Sequence, residues 1–190
     1  MAAAIYSTTT ESGIDINQVY ILDSSTVEYP RPPFLPGQLA WGTDGSEWVY
    51  CTASITIAAG NVVIVSAVPG SWSVALIGGA TVTSAPTGDL LGVVGGSTGT
   101  MVVPAPSGTQ TGTFFWIQRA GNCPNVLCAA STAVNTVLHS SATVGGQVTS
   151  TSGGTGTSYQ IAGMVISQAN GSTAGPNTAI LNYPVVGAEL

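Results

Sequence analysis

From residue 120 to residue 188 the chain contains no Asp, Glu, Lys or Arg. A charge-free stretch of that length ordinarily belongs in a membrane or in a disordered segment, and this one fits neither. No run in it approaches the ~18 consecutive apolar residues that a spanning helix needs. Disorder fails as well, because Val, Ile, Leu and aromatic residues recur throughout and 44% of the chain is hydrophobic. What remains is a folded body whose exterior is built from Ser, Thr, Gly, Asn and Gln. Such an exterior gives up little hydration on contact, so much of it is expected to be buried in an assembly.

The whole chain shares this character. Charged residues make up 5% of its 190 positions, against roughly 25% in an average soluble chain. There is no lysine, and Arg31 and Arg119 are the only fixed positive charges. With a net charge of -6, two arginines cannot neutralise a row of phosphates. Nucleic acid is therefore excluded as a partner, and an anionic membrane surface for the same reason. The acids crowd the first quarter as Glu11, Asp15, Asp23, Glu28, Asp44 and Glu47, with only Asp89 and Glu189 beyond.

The length suits one compact domain with an ordered extension. Residues 1–40 read as an extended N-terminal arm and residues 41–190 as the domain. In the arm, Pro30, Pro32, Pro33 and Pro36 forbid a helix and favour polyproline II or turns. Its scattered apolar residues call for a surface to lie on, either a partner or the chain's own body. The start of the chain lacks a basic region and a long apolar core, so no signal peptide is expected and synthesis in a cytoplasm is the simpler reading. Cys51, Cys123 and Cys128 are an odd number, which argues against a disulfide scaffold and for buried thiols.

Beyond Trp41 the pattern is short β-branched and aromatic runs between turn residues, spaced as in an all-β sandwich or antiparallel β-barrel. The expected strands are Glu47 to Ala53, Asn61 to Val68, Ser73 to Ile77, Leu90 to Val94, Thr113 to Ala120, Pro124 to Cys128, Thr136 to Ser140, Gln147 to Thr149, Tyr159 to Ser167 and Thr178 to Tyr183. Turns are expected at Thr43 to Ser46, Pro69-Gly70, Gly78-Gly79, Gly145-Gly146 and Gly153-Gly154. Residues 129–135 could form one helical turn. The segments Thr149 to Ser158 and Ser167 to Asn177 read as flexible hairpin tips unless a neighbour orders them.

Catalytic motifs are thin. Gly95-Gly96-Ser97-Thr98-Gly99 matches G-x-S-x-G, yet Thr100 to Pro106 is β-branched and proline-stopped where a nucleophile elbow needs a helix. No acid lies between Ser97 and the only histidine, His139, so a glycine turn is the better reading. His139 with Cys123 and Cys128 has poor spacing for a metal site. No glycine-rich stretch ends in the Gly-Lys-Ser/Thr that grips phosphate. Asp44 is placed to shape a turn. Neither enzymatic activity nor a cofactor is expected. Most of Trp41, Trp48, Trp72, Trp116, Phe114 and Phe115 should fill the core, leaving one or two as interface anchors.

Four segments taken in order, Pro33 to Tyr50 (PFLPGQLAWGTDGSEWVY), Leu91 to Val94 (LGVV), Phe115 to Cys123 (FWIQRAGNC) and Ile161 to Val165 (IAGMV), resemble the small capsid decoration, or cement, proteins of tailed bacteriophages. The resemblance covers roughly Pro33 to Pro184. It implies a β-barrel or β-sandwich subunit, commonly a homotrimer, seated on the outer surface of the virion and bridging subunits of the major capsid protein. It also implies terminal arms reaching over coat subunits. The partner contacts expected on this reading are Ile5, Tyr6, Tyr20, Tyr29, Arg31, Phe34 and Leu35. The rival expectation is a tail or fibre module that binds a receptor or glycan.

Overall fold

A computed structural model of the chain describes residues 14–24, 31–67, 71–79, 89–95, 101–153 and 158–189. Among these residues there are thirteen strands and no helix. They are β1 (Tyr20–Asp23), β2 (Leu39–Trp41), β3 (Glu47–Ala53), β4 (Ile57–Ala58), β5 (Val62–Ser66), β6 (Ser73–Leu76), β7 (Leu90–Val94), β8 (Val102–Val103), β9 (Gln110–Cys128), β10 (Leu138–Ser140), β11 (Val148–Thr149), β12 (Tyr159–Ile166) and β13 (Gly175–Glu189).

The all-β class read from the sequence is the class observed. Glu47 to Ala53 and Leu90 to Val94 are strands with the expected bounds. Thr113 to Ala120 and Pro124 to Cys128, expected as two strands, are the halves of the single strand β9. The helical turn considered at residues 129–135 does not form; Ser131 and Asn135 take positive φ of 58° and 51°, which breaks any helical path.

The ladder pairings close two circuits that share β9. In the first, β9 pairs with β3, β3 with β6, β6 with β5, β5 with β7, and β7 returns to β9 through Val93↔Gln118 and Val94↔Ile117. In the second, β9 pairs with β13, β13 with β12, β12 with β10, β10 with β11, and β11 returns through Val148↔Cys128. Closure leaves few unpaired edges, the standing hazard of a β protein.

Each circuit encloses a core. Val49, Cys51, Ala53, Val63, Val65, Val94, Phe115 and Ile117 fill the first, and the small β4–β8 ladder supplies Ile57 and Val103 to it. Cys123, Val126, Cys128, Leu138, Tyr159, Ile161, Met164, Ile166 and Leu181 fill the second. Strand β3 is buried on both faces: Val49 and Cys51 point into the first core, while Trp48 and Tyr50 join a separate aromatic cluster outside it. That double burial explains the nearly continuous apolar reading of the strand, where a half-exposed strand would alternate with polar residues.

Gly121 is the pivot of β9. Its φ is +90°, and a Cβ there would lie 2.8 Å from Ser46 Cα. Only glycine lets the strand bend at this point and carry its second half into the second circuit.

Candidate interaction surface

The proline-rich segment between β1 and β2 is held on the body rather than away from it. Gly37 N–H donates to Tyr50 O at 2.7 Å, Tyr50 N–H donates to Gln38 O at 2.9 Å, and the β2–β3 ladder continues through Ala40↔Trp48. Prolines at 32, 33 and 36 restrict the unfolded segment, so less entropy is lost in laying it down. The segment covers an aromatic cluster of Trp48, Tyr50, Phe114 and Trp116, together with Ile14, Ile16 and Ala40.

Chain alternation then sorts neighbouring side chains into opposite environments. Phe34 is half-buried and sets its ring edge-on to Tyr50 and Trp116, with centroids 5.4 and 5.2 Å away. The next residue, Leu35, is 76% exposed. Along β2, Ala40 is buried against Trp48 while Leu39 and Trp41 face outward, Trp41 at 59% exposure. Between Glu28 and Asp44 the sequence has no acid, so these three apolar side chains lie on an acid-free stretch of a net-negative chain.

The expected contact residues are therefore divided. Arg31 and Leu35 are exposed. Phe34 packs on the chain's own aromatic cluster, and Tyr20 is half-buried in β1 with its ring 6.4 Å from Phe114. Ile5, Tyr6 and Tyr29 lie outside the described residues, as does Ser97. Sequence reasoning did not single out Leu39 as exposed, and it left open which one or two of the large aromatics, Trp41 among them, would face outward. The signal for them was the out-in-out alternation of Leu39-Ala40-Trp41, a period-two pattern hidden by its length of three residues.

Several polar groups with chemical potential are committed to the fold. Asp44 Oδ1 accepts the Ser46 N–H at 3.0 Å, the turn role expected of it, and Ser46 Oγ accepts the Trp48 indole N–H at 3.0 Å. Glu47 accepts the Tyr183 hydroxyl at 3.0 Å, and the Arg119 guanidinium lies 5.6 Å from the Tyr183 ring centroid. The bond to Glu47 holds the Tyr183 phenol above its ordinary pKa. Tyr183 itself has φ of +48°, a costly conformation for an aromatic residue before proline. Gly163, with φ of +76°, gives it room, since a Cβ there would come 2.6 Å from Asn182 O. This latch fastens β13 to β3 across the two circuits.

All three cysteines are free and buried, and burial pushes Cys123 and Cys128 up to about 12 and Cys51 further in the same direction. A neutral buried thiol is a poor nucleophile. Among the described residues no group of three His, Cys, Asp or Glu side chains could hold a metal ion, and no helix is long and apolar enough to cross a membrane.

The fold and surface define an all-β protein with few charged side chains and with Leu35, Leu39 and Trp41 exposed. No known family model matches the chain, and no curated protein matches it in sequence.

Proposed function

We propose that the chain is a capsid decoration protein of a tailed bacteriophage, attached to the outer surface of the head and bridging subunits of the major capsid protein. The reading rests first on the resemblance carried by Pro33 to Tyr50 and the three later segments. The observation that supports it best is the strip of Leu35, Leu39 and Trp41, exposed on an acid-free stretch of a chain with almost no other charge to desolvate. Its action is mechanical: a neutral surface pressed across adjacent coat subunits adds contacts that must all break before the shell opens.

Magnitudes favour repetition over any single contact. Full burial of a large apolar side chain is worth roughly 1.5–3 kcal/mol, so covering what these three leave exposed contributes about 3–5 kcal/mol. The freedom lost on association costs at least about 4 kcal/mol. One subunit alone would hold weakly, whereas a homotrimer attaching at several equivalent points gains avidity without new contacts.

The test is a Leu35→Ser, Trp41→Ser double variant added to undecorated capsids. Both side chains face outward, so folding should be unaffected, and occupancy on the capsid should fall at least tenfold. Undiminished occupancy would refute the assignment of this strip. Attachment to host cells with no affinity for capsids would replace the reading with that of a tail or fibre module.

A further inference from the structure

The loop from residue 167 to residue 174, together with the start of β13 and the last part of β9, borders an open cleft of about 460 Å³. Its lining is almost entirely amide and backbone: Asn125, Gln168, Asn170 and Asn177, with Pro124 and Pro176 as its apolar faces. We propose that this cleft is a binding site for a neutral saccharide. The proposal does not depend on the capsid reading.

Three observations carry it. The first is rigidity, which the sequence did not suggest for a stretch of Ser, Gly, Asn and Thr. Ser131 N–H donates to Gly171 O at 2.7 Å and Asn170 N–H to Thr132 O at 3.0 Å, tying the loop to the turn after β9. The Asn170 side-chain amide donates to Ala129 O at 2.8 Å, Thr173 O at 3.2 Å and Cys128 O at 3.3 Å. Asn177 bridges the loop from the other side, donating to Gln168 O and accepting from Thr178 N–H at 2.8 Å. A ligand meeting this wall has little loop entropy to suppress, which is the main saving available to a weak polar site.

The second observation is what these internal bonds leave over. With the Asn170 amino group spent on carbonyls, its Oδ1 remains as an acceptor. The exposed Gln168 side chain offers both a donor and an acceptor. Neutral donors and acceptors in one lining suit hydroxyls, each of which both gives and takes a hydrogen bond.

The third is charge. No residue from 120 to 188 is an Asp, Glu, Lys or Arg, so a charged ligand entering the cleft would lose hydration with no counter-ion to replace it. A peptide is disfavoured because its recognition relies on a free strand edge or on apolar side-chain pockets, and this cleft presents chiefly polar surface. The volume falls within the range of small-molecule sites, roughly 300–1,000 Å³.

The test is a nuclear magnetic resonance titration of the isotope-labelled full chain with maltotriose, cellotriose, chitotriose and a neutral Gly-Ser peptide. At least one trisaccharide should produce saturable shifts, centred on the amides of Gln168, Asn170 and Asn177, at millimolar concentration. Gln168→Ala, whose side chain is exposed, should weaken that binding about tenfold, the value of one hydrogen bond. Ala169→Trp should fill the cleft and abolish binding. The proposal is overturned if no trisaccharide gives a saturable shift by about 20 mM, if the shifts map elsewhere, or if both variants bind as the parent does. Shifts produced by the peptide alone would also overturn it.

Discussion

Replacing Phe34 by alanine separates two roles that its sequence position leaves open, a contact with a partner or a piece of the chain's own core. The structure places the ring edge-on against Tyr50 and Trp116, within 5.4 and 5.2 Å. Truncating a fully buried Phe costs about 3–5 kcal/mol. Phe34 keeps part of its surface in water, which lowers the transfer part, while loss of two edge-on aromatic pairs restores about 1 kcal/mol of it. The expected cost is about 2–3 kcal/mol. For a chain of this size that shifts Tm by roughly 2–4 °C per kcal/mol, or about 5–10 °C in all. Calorimetry of the isolated protein reads this directly, and tryptophan fluorescence should report it too, since Trp116 loses its neighbour. Leu35→Ala is the control one residue away: at 76% exposure it should leave Tm unchanged. Equal Tm values for parent and Phe34→Ala, with capsid occupancy lost, would refute the core assignment and return Phe34 to the partner interface.

Gly121→Ala should destabilise the fold by about 2–4 kcal/mol, because its φ of +90° is strained for alanine and the new Cβ meets the Ser46 backbone; urea unfolding would show a lower midpoint at an unchanged slope. The three buried thiols should resist a thiol reagent at pH 8 in the native protein and react together once urea unfolds it. Their folded pKa values lie above the ordinary thiol value of 9.0, so the unfolded chain releases protons first as pH rises. Stability should therefore be full below pH 9 and decline between about pH 9 and 12; Cys123→Ala should flatten part of that decline, and a profile unchanged by the substitution would count against the assignment.

The class of fold was legible because its signals are local. Glu47 to Ala53 and Leu90 to Val94 each carry β-branched or aromatic residues bounded by turn formers, and both are strands. The role of Asp44 was readable for the same reason, since an Asx turn is closed within two residues. The expectation against nucleic acid and anionic membranes as partners came from charge content alone, because composition bounds the electrostatic energy whatever the fold.

Only the tertiary structure decided that two predicted strands form one, because the break at Gly121 is a bend whose continuity depends on Ser46 packing against it from a distant part of the chain. It alone divided Phe34 from Leu35 and turned Trp41 outward while Trp48 and Trp116 turned inward. Tryptophan looks the same in sequence wherever it lies; which face of a strand meets a core depends on pairings between residues some seventy positions apart, such as Tyr50↔Trp116. The loop at 167–174 makes the same point. Its Ser, Gly and Asn residues carry no local signal of order, and hydrogen bonds to the turn after β9 supply it.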